Sequence, residues 1–344
     1  MKKLLFIFLA IVLMAACAIS LAEEAVPQAL PLPVKVLLLP KFEIDEMAGD
    51  FPGEAQYYYE HYLTEANEYD VPYNSGKLYY QDGIAMSVLG MGKISAALGT
   101  MAILSDTRFD FSEAFIISTG CAGSSSGNTV MGDVFLITAA VDYDLGHHAD
   151  ARELSDPEGT TWFRDADFDD AAVIRLNPEL MDKVYALVKD APVETTEVTR
   201  SFMRAAFDGA DWAARDPRVL RGTTVTADNY WKGQYGHRNA LRMVEVYQCP
   251  DPYATADMED VAVARTAERM GMLDRLIILR GSVNMDVFML GVTPESLWGN
   301  AEATTLASEE SIEAADIFET AMRNNFNVGR IIIDQILTGT FLQP

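Results

Sequence analysis

The chain has 344 residues, 49% of them hydrophobic, and a formal charge of −25 from 51 acidic and 26 basic side chains. That length and apolar share suffice for one large domain or two small ones with a sizeable core. The negative balance excludes nucleic-acid polymers and anionic lipid as partners, because both repel such a surface.

The chain opens with Lys2 and Lys3, an apolar run from Leu4 to Met14, and small residues, the pattern of an export signal. Two processing sites remain open: cleavage after Ala22, behind Ser20-Leu21-Ala22, or lipid attachment at Cys17 in Met14-Ala15-Ala16-Cys17. The expected location is periplasmic or extracellular, lipid-anchored in the second case. The run is short for a spanning helix of ~20 residues, and later apolar stretches are soon broken by charge or proline. Residues 1–22 are thus expected to be the signal. Residues 23–33, with Pro27, Pro31 and Pro33, read as a linker, and 34–344 as one folded domain.

Val34 to Leu39 is a continuous apolar strand stopped by Pro40, of the kind covered on both faces. Ile84 to Leu89 is a second strand, turned by Gly90-Met91-Gly92 into a helix from Lys93 to about Ser105. Ala114 to Ser118 is a third, followed by a glycine-bearing loop from Thr119 to Gly127, and Val134 to Val141 continues the series. From Asp144 to Asp216 the chain is irregular and acidic, with a helix over Pro178 to Asp190 that has proline in its first turn. Leu220 to Ala227 reads as a strand, Asp260 to Met270 as an amphipathic helix, Arg275 to Val283 as the last core strand. Two helices, Glu309 to Asn324 and Val328 to Leu337, close the chain. Strands alternating with helices imply a single α/β domain, a central mixed sheet flanked by helices, with functional loops at the carboxyl ends of the strands.

Several segments there carry polar groups. Gly120, Cys121, Gly123 and Ser124 lie in a stretch able to offer backbone N–H groups and hydroxyls to an anion or a sugar, or to serve as a plain turn. It has neither the P-loop nor the dinucleotide-binding spacing. Asp257-Met258-Glu259-Asp260 precedes a helix, where a carboxylate caps the free N–H groups; an adjacent pair of ionised acceptors also suits vicinal hydroxyls. Asn284 and Asp286 follow an apolar strand, and an amide offers a donor and an acceptor to a purine edge, while an Asp can give or take a proton. His147-His148 is not a metal site, since adjacent strand residues face opposite sides and no ligand spacing accompanies them. The aspartates at 165, 167, 169 and 170 lack the glycine and terminal glutamate of a calcium loop, so no metal is expected. With the signal gone, Cys121 and Cys249 make no disulfide framework and read as free thiols.

In order, Gly90-Met91-Gly92-Lys93, Thr119-Gly120-Cys121-Ala122-Gly123, Gly132-Asp133-Val134, Ala227-Asp228-Asn229-Tyr230, Asp257-Met258-Glu259 and Arg280 to Asn284 resemble the landmarks of nucleoside phosphorylases and methylthioadenosine nucleosidases. The Arg280 to Asp286 segment and the long acidic middle are similar to the related purine nucleoside permease family, over about Val34 to Phe341. The resemblance implies a nucleoside phosphorylase-like fold, a small-molecule nucleoside as ligand, a homo-oligomer, and a link to nucleoside uptake through a membrane transport partner. It implies that Met258 packs beneath the ribose, Glu259 holds its hydroxyls, Tyr230 stacks on the base and Asn284 meets the purine ring. Asn284 would favour a 6-oxopurine. The chemistry implied is cleavage of the N-glycosidic bond. No cofactor is implied beyond inorganic phosphate as co-substrate, and Ser118 and Cys121 stand where phosphorylases of this type carry phosphate-binding arginine and serine. Phosphorolysis, hydrolysis and binding without turnover all remain open.

Overall fold

The computed structural model describes residues 30–207, 211–298 and 312–341. The expected signal, residues 1–22, and Cys17 lie outside them. Among the described residues, strand pairing begins at Leu32–Pro33, which runs parallel to Phe109–Asp110, inside the stretch expected to be linker. Proline is tolerated at such a margin because only Leu32 has to donate, to the Arg108 carbonyl at 2.9 Å.

A ten-stranded mixed sheet forms the centre. Its strands are Val36–Leu39 (β1), Asn67–Asp70 (β2), Lys77–Gln81 (β3), Ile84–Met86 (β4), Phe115–Ser124 (β5), Val134–Asp142 (β6), Val173–Arg175 (β7), Val219–Thr226 (β8), Tyr253–Asp257 (β9) and Leu276–Met285 (β10). The order runs β7-β6-β8-β9-β5-β1-β4-β3-β2, and β10 bridges β5 and β6. Strands β5, β10, β6, β8 and β9 therefore close into a ring. β5 and β10 are parallel, β10 and β6 antiparallel, β6 and β8 parallel, β8 and β9 parallel, and β9 meets β5 antiparallel. The apolar runs explain the interior: all four side chains of β1, and Leu276 to Leu279 of β10, are fully buried.

β5 does not stop at Ser118. It continues through the expected loop to Ser124, because β10 pairs with it as far as Met285 and β9 pairs with Gly123 and Ser124. Helices cover the sheet: Gln56–Tyr62 (α1), Lys93–Leu104 (α2), Pro178–Val188 (α3), Glu197–Ala206 (α4), Gln234–Val246 (α5), Asp260–Arg269 (α6) and Ile312–Leu337 (α7). α3 starts as expected, with Asn177 capping the N–H groups of Glu179 and Leu180 and Pro178 in the first turn.

α7 corrects the expectation of two closing helices. The Asn324-Asn325-Phe326-Asn327 run reads as a break, yet the helix passes straight through it. Asn324 and Asn325 are buried, and tertiary partners satisfy their amides. Asn324 donates to the carbonyls of Gly132 and Glu194, and Asn325 accepts from Thr119 Oγ1 at 2.6 Å and Tyr58 OH at 3.0 Å. Within the acidic middle, His147–His148 pairs antiparallel with Trp162–Phe163, packed through Trp162 on Tyr143 and α5, and β7, α3 and α4 follow.

Candidate functional site

Chain segments distant in sequence meet at the carboxyl ends of β1, β5, β8, β9 and β10. They enclose a cavity of about 200 Å³. Its wall carries aromatic rings from Phe42, Tyr230 and Trp231, the thioethers of Met91 and Met258, and Cys121, Gly123, Asn284, Asp286 and a group of buried charges.

The charges are built around Arg280, the largest fully buried side chain. Its Nε and Nη2 donate to Asp260 at 2.7 and 2.8 Å, Nη2 also to Glu259 at 3.2 Å, and Nη1 to the Cys121 carbonyl at 2.8 Å. Lys41, equally buried, directs its ammonium to the carbonyls of Leu39 (2.5 Å) and Thr119 (3.2 Å) and to Ser118 Oγ (2.8 Å). All three ammonium hydrogens are thereby used. Burial, then the nearby Arg280 charge, lowers the Lys41 pKa. Glu54 straddles the backbones of two strands, accepting from Lys41 N and Cys121 N, each at 2.7 Å.

Asp257 caps α6: its Oδ1 accepts from the N–H groups of Glu259 (2.8 Å) and Asp260 (2.7 Å), and Oδ2 from the Thr224 hydroxyl. Burial, then the charge of Asp260, pushes its carboxyl from 3.8 up to about 6 against the pull of Arg280. Glu259 is raised by burial, with Arg280 opposing, and its Oε1 accepts from Gly92 N at 3.1 Å. Burial acts against Asp260 too, but its bidentate pair with Arg280 prevails and holds it below its ordinary value.

The expected site residues divide. Cys121, Gly123, Tyr230, Met258, Glu259, Asn284 and Asp286 all line this one cavity. Gly120 and Ser124 do not. A side chain at 120 would fall 2.3 Å from Glu54 Oε1, so glycine there makes room for that acid. Ser124 is buried, with its hydroxyl 2.5 Å from that of Ser282. The expectation of an anion or sugar loop therefore loses both positions: in a paired strand these groups serve the sheet interior. Gly123 lets the Asn284 amide approach, since a Cβ there would sit 3.0 Å from Oδ1. Asn284 Nδ2 donates to Tyr230 OH at 3.0 Å, and Tyr230 is 60% exposed at the mouth. Trp231 stacks on Tyr143 with ring centres 5.2 Å apart. Asp286 accepts from Ser126 N (3.1 Å) and Tyr253 OH (2.9 Å) and lies 2.7 Å from His237 Nδ1.

Lys41 and Glu54 also line the cavity, and motif reading passes over both, whereas Arg280 opens the segment already singled out at the end of β10. A Lys directly after Pro40 at the end of β1 is the local signal for Lys41; Glu54 has none. Among the described residues no group of three or more His, Cys, Asp and Glu side chains could hold a metal ion. Cys121 and Cys249 are free, half-buried thiols.

Solved structures share this architecture. Over 88% of this chain and 99% of the other, the fold matches a 5′-methylthioadenosine/S-adenosylhomocysteine nucleosidase of Neisseria meningitidis (TM-score 0.52, 16% identity). Over the same shares it matches a futalosine hydrolase mutant of Helicobacter pylori (TM-score 0.54, 13% identity). In sequence, the chain is 26% identical over 280 residues to a probable purine nucleoside permease of Schizosaccharomyces pombe, covering 75% of this chain and 76% of that one. The family model for purine nucleoside permease (NUP) matches residues 33–340. With nearly the whole chain covered by that model, and a nucleosidase-like fold beneath it, this protein belongs to the purine nucleoside permease family.

Proposed function

We propose that the cavity binds a purine nucleoside and cleaves its N-glycosidic bond with water as nucleophile, outside the cytoplasm and in the service of nucleoside uptake. The observation that carries this reading is convergence: Tyr230 and Trp231, Met258 and Glu259, and Asn284 come from three separate segments and face one small cavity. Met258 would lie beneath the ribose. Glu259 would accept from its hydroxyls with the lone pairs that Gly92 and Arg280 leave free. Tyr230 would cover the base, with Asn284 at its edge.

Charge argues against phosphate. Lys41 and Arg280 are the cavity's only cations among the described residues, and carbonyls, carboxylates and the Ser118 hydroxyl take all three Lys41 hydrogens and most of those of Arg280, while Glu54, Asp257, Glu259 and Asp286 share the wall. An incoming dianion would meet like charge with few donors left to compensate. Water meets no such barrier.

A second reading, a nucleoside-binding component that does not turn over, is favoured by Asn284 itself, because an amide delivers no proton to a departing base. No described helix is long and apolar enough to cross a membrane. Uptake would then require passing ligand to a membrane partner. Incubating the protein with inosine and adenosine, with and without phosphate, tests these readings. Free base without phosphate is expected; base that appears only with phosphate would refute water as nucleophile. Saturable binding without base would leave the binding component, and neither binding nor base would refute both.

A further inference from the structure

This inference rests on the reading of the cavity as a nucleosidase site. When the bond between C1′ and the base nitrogen breaks, its electron pair goes to the base, so a neutral purine leaves well only if an acid meets it. The described groups near the base supply none. Asn284 has no proton to release, and no described donor reaches its Oδ1. Tyr230, at the mouth, carries a phenol that is a weak acid at its ordinary value of about 10, and burial and then Glu54 raise the Cys121 thiol, so both are poor acids. Asp286 is occupied by Ser126, Tyr253 and His237. Lys232, whose pKa burial lowers to about 8, turns its ammonium to the Met285 carbonyl at 2.5 Å, away from the lining.

What the cavity does offer is a seat for positive charge. Three aromatic side chains, Phe42, Tyr230 and Trp231, stand with the carboxylates of Glu54, Asp257, Glu259 and Asp286 round one space. Ring faces and carboxylates both attract a cation. Arg280 is paired with Asp260 and Glu259, Lys41 spends its ammonium hydrogens on two carbonyls and the Ser118 hydroxyl, and a chain of charge −25 steers cations inward.

We propose that the preferred substrate is a ribonucleoside whose base already carries a formal positive charge, as in an N7-methylated purine. The water oxygen bonds to C1′, the C1′–N9 bond breaks, and its electron pair cancels the ring charge, so the base leaves neutral. The proton shed by the water passes to Glu54 or Glu259 and then to solvent. No acid is required at Asn284, and the ring charge that the wall attracts is released as the product forms.

The test compares N7-methylguanosine with guanosine, a pair differing by one methyl group and one charge, with the enzyme-free rate subtracted. The expected kcat/KM ratio is at least about 100 in favour of the cationic nucleoside, the lower end of what a general acid contributes. Asn284→Asp, which restores an acid, is expected to narrow that ratio about tenfold or more. Equal rates on both nucleosides in the wild-type protein would overturn the proposal while the nucleosidase reading stood. Saturable binding without cleavage of either would overturn both the proposal and turnover. Absence of both binding and cleavage would remove the nucleoside reading altogether. The wild-type ratio decides even if the variant fails to fold.

Discussion

Asp257→Asn isolates the cost of burying an acid, first, and of setting it beside a second one. Asp257 is buried with Asp260 and Glu259 close by, and its carboxyl rises from 3.8 to about 6. A shift of that size disfavours the ionised form in the fold by about 3 kcal/mol. Because the folded pKa exceeds the unfolded one, the stabilising contribution is fully present below about pH 4 and is lost as pH rises through about 6. Asparagine keeps the oxygen that caps Glu259 and Asp260, and the Thr224 and Thr226 hydroxyls can turn to accept from its amide. The variant is therefore expected to match the wild type within about 1 kcal/mol near pH 4 and to be more stable by up to about 3 kcal/mol at pH 7. Urea unfolding of both proteins between those values measures the difference, with equal slopes required for the comparison. A difference that stays constant with pH would refute the argument.

Two further perturbations probe the site and its support. Glu259→Ala is expected to weaken nucleoside binding by about 1.5–3 kcal/mol, the range for a hydrogen bond to a charged group; unchanged affinity in titration calorimetry would remove Glu259 from the site. Asn325→Ala strips partners from Tyr58 and Thr119 in the buried junction between α7, α1 and β5. It is expected to cost about 1–3 kcal/mol in urea unfolding, and a loss below about 0.5 kcal/mol would show that those hydroxyls find other partners.

The strands were legible where the sheet buries both of their faces: Val36 to Leu39 and Leu276 to Leu279 need no partner information to be read as strands. The extension of β5 beyond Ser118 was not, since Thr119-Gly120-Cys121-Ala122-Gly123-Ser124 has turn composition and becomes a strand only through pairing with β9 and β10. The same holds for α7, whose asparagines break a helix by propensity but are satisfied by carbonyls and hydroxyls from elsewhere. Asp257 as a cap was readable because capping is local. Glu54 was not, because it is one acid among 51 and its importance arises only where it accepts from Lys41 N, 13 residues before it, and from Cys121 N, 67 residues after it.

The strand ring has a kinetic corollary. Leu276–Met285 is the stave that joins Phe115–Ser124 to Val134–Asp142, yet it is made some 150 residues after the first of them. Until it docks, two apolar hydrogen-bonding margins stay open and the pocket lacks Arg280 and Asn284. A ribosome-bound or C-terminally shortened chain is then not a weaker version of the protein but a sticky precursor without the pocket, with aggregation competing against closure.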